Sequence, residues 1–363
     1  MQAELVAADS PRWADVLSGM RHDFYHLPSY VSFAARRQDA GAPMAFLAEE
    51  DGHRFLAPMI VRPIPPDIAG DRPLFDATCP RGYPGPLLEL EREREVGGFV
   101  DRAIQAFAET LRRGSIITVF SRLHPLMMPP MPSLLRAGQV VEHGDSVSVD
   151  LALPRRELWR QTRADHRHAI DRAARLGYRA RIDETWQRFD GFVDAYQQTM
   201  DRLGAVTFWH LSREYFQDLK ETLGDRVHLC VVELGRDLAA AAILTEVDGS
   251  VEYHSSGTAE AFVSASPSKT LINFAIGWAK ERGNRVLHLT GSLRKEDTLY
   301  QFKTGFSPLN HPVCSWRVVT DPPAYRTLVA RWEARHAVPE DPAHGYFPAY
   351  RTPSLHPQNG RPP

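Results

Sequence analysis

At 363 residues, with 43% hydrophobic and 24% charged side chains, the chain has ordinary globular composition and exceeds what one core usually serves, so two domains are expected. A formal charge of −2 excludes a globally basic nucleic-acid binder, though not a local basic patch. Cys79, Cys230 and Cys314 make neither a disulfide framework nor a zinc site. There is no signal-peptide pattern and no apolar run near the length of a membrane span, so a cytoplasmic chain without membrane span or metal is expected.

In chain order, helices are expected over 12–19 and 28–36, the second opened by Pro28. Alternating residues over 45–49 and 54–61 read as a hairpin about Asp51-Gly52. Residues 75–86 hold three prolines and two glycines and read as a shaped loop carrying Arg81 and Tyr83. A helix over 95–113, a strand over 115–120 and a strand over 147–153 ending at Pro154 follow. Residues 155–181 carry nine arginines and two histidines against three acids and read mostly as one helix ended by Gly177. Beyond lie helices over 189–202 and 213–223, strands over 227–234, 238–247 and 251–256, a helix over 267–282 N-capped by Ser266, and a strand over 285–289. The layout is α/β (α+β) with a mixed sheet, and the first half repeats the order more vaguely. The last 26 residues contain seven prolines and read as a poorly ordered tail.

The most informative stretch runs from Leu289 through Gly291, Asp297, Leu299, Tyr300, Phe302, Lys303, Gly305 and Phe306 to Pro308. Only five of the 43 basic residues are lysine, so Lys303 between Phe302 and Phe306 departs from the chain's habit of solvating itself with arginine. A lysine held against aromatic surface is a placed, partly desolvated cation suited to a developing oxyanion or phosphate. The bland alternative is a lysine that snorkels to solvent along those rings.

The run Leu-x-Gly…Asp-x-Leu-Tyr-x-Phe-Lys-x-Gly-Phe-Ser-Pro resembles the C-terminal signature of the Fem (FemABX-like) aminoacyltransferases of the GNAT superfamily. The segment 25–30, the loop 76–86 and the arginine-rich segment before Gly177-Tyr178 support the resemblance, which spans about residues 25–320. It implies two tandem GNAT-like domains, each a mixed twisted sheet flanked by helices. The first would be 1–150, completed by about 308–337, and the second 151–307, with 338–363 as the tail. It also implies transfer of an amino acid from aminoacyl-tRNA, as co-substrate with no resident cofactor, to an amine of a peptide-like small-molecule acceptor. That acceptor would be an antibiotic-type natural product or a cell-wall precursor; no heptad arm of the wall enzymes is evident, which favours a small soluble one. The family's catalytic Phe-Lys pair falls on Phe302 and Lys303. Members often carry Gly-Gly after the last strand, where this chain reads Thr290-Gly291-Ser292.

Further candidates each carry two readings. Asp297 orients the amine or caps the following helix. Arg81 and Tyr83 bind acceptor or merely shape their loop. Tyr253 and His254 point to opposite faces of a strand, so one addresses the cleft and the other the core. Trp209 lines an acceptor groove or packs inside. Arg163, Arg167 and His168, with Lys269 at a helix start, meet tRNA phosphates or belong to a solvated face. Residues 262–269 lack the glycine-rich loop that cradles coenzyme A in GNAT enzymes, so an acyl-CoA or carrier-protein thioester donor is the second reading. A non-catalytic binding protein of the same fold is the third. No G-x-S-x-G elbow, Walker loop or H-E-x-x-H occurs.

Overall fold

The structure, a computed structural model, describes residues 1–37, 41–91, 96–291, 298–336 and 345–352. The chain forms two compact units, Met1–His143 together with the chain from Val313, and Gly144–Pro312.

In the first unit the order is β1 (Gln2–Ala7), α1 (Pro11–Ser18), α2 (Pro28–Arg37), β2 (Ala42–Glu50), β3 (His53–Pro63), α3 (Pro66–Ala69), β4 (Phe75–Thr78), β5 (Leu87–Glu89), α4 (Val96–Arg113), β6 (Ile116–Arg122) and α5 (Met131–Ala137). β7 (Gln139–Asp150) then leads into the second unit. Strands β1, β2, β3 and β4 are antiparallel neighbours. β4 and β6 are parallel, as the crossover through α4 requires. Asp51 and Gly52 both have positive φ, 49° and 83°, and turn β2 onto β3 with Glu50 opposite His53. That is the left-handed two-residue turn whose twist suits a hairpin. The core packs Phe46 and Phe55 of the sheet against Phe107 of α4, with Trp316 stacked on Phe107 at 5.4 Å.

The second unit contains α6 (Arg155–Gln161), α7 (Ala164–Arg175), β8 (Tyr178–Ile182), α8 (Phe189–Arg202), α9 (Arg213–Leu223), β9 (Val227–Leu234), β10 (Asp237–Val247), β11 (Ser250–Thr258), α10 (Pro267–Glu281), β12 (Val286–Gly291) and α11 (Thr298–Lys303). β8, β9, β10 and β11 are antiparallel neighbours, and β12 lies parallel to β11 after the crossover through α10. The chain then passes through β13 (Leu309–Val319) to α12 (Pro322–His336) in the first unit. One order, strand, two helices, three strands, helix, strand, helix, strand, runs from β8 to β13 and, with the short α3 and β5 added, from β1 to β7. Each unit's sheet is closed by the other repeat's last strand: β7 pairs antiparallel with β12, and β13 with β6.

Four expectations are corrected. Residues 155–181 are two helices and a strand, not one helix, because the chain breaks at Thr162 and the Arg163 N–H donates to Gly305 O at 2.7 Å. Ser266 makes no side-chain cap; it sits at φ 53° ahead of Pro267, which opens α10 without an N–H to cap. Phe75–Thr78 is a strand inside the sheet, and only the residues after it form the proline-glycine loop. In the tail, Tyr350 is buried among Ile64, Leu328 and Trp332, and its hydroxyl meets that of Thr118 at 2.8 Å. Arg351 ion-pairs with Asp76 beside Arg62. Residues 337–344 and 353–363 lie outside the described residues. Among the described residues no helix is long and apolar enough to cross a membrane.

Candidate active site

The second unit's sheet carries one of its hydrophobic clusters on the face toward α10. Val149, Val251, Tyr253, Leu287 and Leu289 pack there against Leu271, Ile272 and Ala275 of α10. Pleating sends the alternate residues to the other face, where Glu252 and His288, both fully buried, meet at 2.7 Å. His288 stands opposite Ser148, whose hydroxyl lies 2.7 Å from His311 Nε2.

β12 ends in a backbone distortion. Thr290 adopts φ 62°, a left-handed conformation that is strained for a β-branched residue. The turn places the Thr290 hydroxyl and the Gly291 carbonyl side by side, and both accept from the Lys303 amine, at 3.0 and 3.2 Å. Lys303 is only 5% exposed. It does not snorkel to solvent along Phe302 or Phe306; α11 turns it back onto the end of β12. Phe306 is buried and Phe302 packs against the same core, their rings 5.6 Å apart and edge-on. A buried ammonium anchored by the Thr290 hydroxyl and the Gly291 carbonyl is a donor fixed in advance, the property that oxyanion stabilisation needs. Asp297 falls outside the described residues.

Behind α11 lies the turn joining α6 to α7. Arg163 donates to the Gln301 carbonyl at 3.1 Å and pairs with Asp165, whose carboxyl the Arg163 hydrogen bond holds far below its usual range. Lys269, in the first turn of α10, reaches the same carboxylate at 3.4 Å. Arg167 turns inward onto the carbonyls of Thr162 and Arg160. The structure thus gathers Lys303, Phe302, Arg163 and Lys269 in one neighbourhood. Exposed His168 stands apart on the face of α7 that also carries Arg172 and Arg175, at spacings of four and seven residues.

Of the strand pair, Tyr253 faces the core, where burial pushes its phenol upward. His254 takes the other face, with Tyr215 Oη 3.5 Å from its Nε2. Trp209 is half-buried in a 3₁₀ turn; its carbonyl accepts from the Tyr196 hydroxyl and its ring stands edge-on to Phe208 at 5.0 Å.

In the first unit the proline-glycine loop is held by two buried side chains. Tyr30 donates to the Arg81 carbonyl at 2.8 Å, and His26 Nε2 lies 3.1 Å from the Gly85 carbonyl. Since the Asp23 N–H donates to His26 Nδ1, the proton is on Nε2 and the ring donates to Gly85. Tyr83 is half-buried, edge-on to Tyr25 at 5.9 Å and to His124 at 6.3 Å. Asp23 in turn holds His124 at 3.2 Å. Arg81 and Tyr83 are therefore presented by a loop anchored from beneath.

Thr290, His166 and the Glu252–His288 pair were not singled out from sequence. Gly305 within the signature was the one local hint, since a glycine fixed between aromatics marks a close approach by another group.

Known proteins bear out the fold. The family model for the acetyltransferase (GNAT) domain matches residues 160–308. Among solved structures, FemX superposes with TM-score 0.68 at 11% identity, covering 90% of this chain and 99% of that one. L-PGS from Bacillus licheniformis gives TM-score 0.52 at 13% identity, covering 90% and 97%. The C-terminal domain assigned to a lysylphosphatidylglycerol synthetase from Agrobacterium fabrum gives TM-score 0.52 at 16% identity, covering 90% and 95%. No curated protein sequence matches the chain.

Proposed function

We propose that this chain, an acyltransferase with a Fem-like GNAT fold, moves an aminoacyl group from the terminal ester of an aminoacyl-tRNA to an amine of a peptide-like acceptor. The observation that carries the reading is the Lys303 amine, buried and aimed by Thr290 and Gly291 at the end of β12. The neutral acceptor amine attacks the ester carbonyl, and Lys303 donates to the oxyanion of the tetrahedral intermediate. The carbon–oxygen ester bond then breaks, the ribose hydroxyl leaves with the proton given up by the amine, and an amide remains. Because the ester is already activated, no covalent enzyme intermediate is needed. Electrostatic preorganisation is then the main protein contribution.

Two further observations support a tRNA ester over a coenzyme A thioester. Pro267 opens α10 without an N–H, and the Lys269 N–H is spent on the Ser266 carbonyl, so the backbone offers little of a pyrophosphate cradle. His168, Arg172 and Arg175 line one exposed face of α7, a spacing suited to successive phosphates. Two similar folds are those of FemX and of a lysylphosphatidylglycerol synthetase domain, the second named for an aminoacylated product.

The test supplies purified protein with tRNA, synthetases and radiolabelled amino acids. Acceptors are a peptidoglycan precursor and a panel of dipeptides with free amino termini, each with and without RNase. RNase-sensitive label on an acceptor supports the reading. Transfer that survives RNase while an acyl-CoA or carrier thioester is consumed overturns the donor, and leaves the acyltransferase.

A further inference from the structure

Lys303 ends a helix of six residues, too short to hold its own direction. Its aim must be set from outside, and the contacts that do so come from the turn before α7. The Arg163 N–H donates to Gly305 O at 2.7 Å and its guanidinium to Gln301 O at 3.1 Å. Next to it His166, 1% exposed, lays its ring 5.4 Å from that of Phe302 and 4.7 Å from that of Phe306. Gly305 admits that ring: a Cβ there would come within 2.2 Å of Cε1 and 2.5 Å of Nδ1. The glycine of the signature is thus matched to a histidine 139 residues earlier.

The proton on His166 can be assigned. Its Nε2 lies 3.1 Å from the Arg163 guanidinium, which can only donate, so Nε2 accepts and the hydrogen is on Nδ1. Burial and the charge of Lys269 push the imidazole down to about 4, which agrees with a neutral ring. Nδ1 is buried with no hydrogen-bond partner among the described residues. Such an orphaned donor is a cost that phenylalanine at this place would avoid. What histidine supplies in exchange is the acceptor for Arg163.

We infer that His166 is a positioning residue: accepting from Arg163 and wedged over Gly305, it sets the direction in which α11 presents Lys303. The inference rests on the reading above for what the amine does, but its test does not depend on that reading.

Lys303 is buried, so acylation of its amine reports how often α11 opens. The intact chain is treated with acetic anhydride, and the rate at each lysine is followed by mass spectrometry, with Lys220 and Lys280 as internal references. In His166→Phe, which keeps a ring and loses the acceptor, Lys303 is expected to react about tenfold faster with the references unchanged. In His166→Gln, whose carbonyl can take the place of Nε2, the rate is expected within about twofold of wild type. An unchanged Lys303 rate in His166→Phe overturns the inference. So does equal acceleration at all lysines, which marks a merely structural residue. Should His166→Phe fail to fold, His166→Leu, which also lacks the acceptor, is held to the same outcomes. Where transfer is measurable, kcat falls in step with the rise in Lys303 reactivity while KM holds. Absence of transfer in the wild type refutes the proposed function and leaves the acylation result standing by itself.

Discussion

Replacing Lys303 by methionine should separate catalysis from stability. The side chain is 5% exposed, and the contacts of its amine include the Thr290 hydroxyl and the Gly291 carbonyl, at 3.0 and 3.2 Å. Methionine matches the aliphatic stem and removes the ammonium, so the desolvation cost of the ion, several kcal/mol, disappears from the folded state. Against this, the Gly291 carbonyl loses a donor, which costs about 1–3 kcal/mol, while the Thr290 hydroxyl can rotate to another partner. The two effects are of similar size, so unfolding free energy should stay within about 2 kcal/mol of wild type or rise. Catalysis has no such compensation, and removal of one oxyanion donor should lower kcat by about 10²–10³-fold. Urea unfolding and single-turnover aminoacyl transfer on the same preparation measure both. Lys303→Arg should be nearly as inactive, because a planar fork cannot occupy the place of a compact ammonium. A kcat within tenfold of wild type for Lys303→Met would refute the reasoning, as would a loss of activity matched by unfolding.

Thr290→Gly relieves a left-handed conformation worth about 1–2 kcal/mol but removes a hydroxyl from Lys303, so stability should barely change while kcat falls about tenfold. Thermal melts beside transfer rates decide it. Gly257→Ala would drive a Cβ to 2.3 Å from Tyr196 N and 2.4 Å from the Ala195 carbonyl carbon, backbone that cannot swing aside. A loss of about 3 kcal/mol in urea unfolding is expected, at the upper end for overpacking. Burial, then the neighbouring His124, push His26 down to about 3 in the folded chain. The unfolded chain therefore takes up the proton between pH of about 6.5 and 3, and this stability is fully present above that window and lost as pH falls. Between pH 7 and 5 the contribution is about 2 kcal/mol, and His26→Asn should flatten the slope of urea midpoint against pH; an unchanged slope would exclude His26 as its source.

Much of the fold was legible because it is written locally. Asp51-Gly52 announces its hairpin through two residues that tolerate positive φ, and β9 to β11, α8, α9 and α10 follow from period and punctuation. What misled were positions decided by distant partners. The break at Thr162–Arg163 has no glycine or proline and exists because Gly305 accepts there. Tyr350 is buried although its neighbourhood is proline-rich, because Thr118 and the α12 side chains complete its surroundings. At the site, Lys303 stood out through scarcity of lysine and its flanking aromatics. Arginine density singled out residues 155–181, but could not tell Arg167, folded onto the carbonyls of Arg160 and Thr162, from exposed Arg172. Thr290 and His166 were invisible, since strain and burial arise only once β12, α7 and α11 meet.

The exchange of closing strands fixes an order of events during synthesis. Arg122 on β6 pairs with Ser315 on β13, about 190 residues further along the chain, so the first sheet keeps an open edge until almost everything else has left the ribosome. An open edge invites pairing with other chains. Nor can the gene be cut between the repeats to give two working halves, because each half would carry the strand the other needs. Co-expressed halves should instead find each other through those strands.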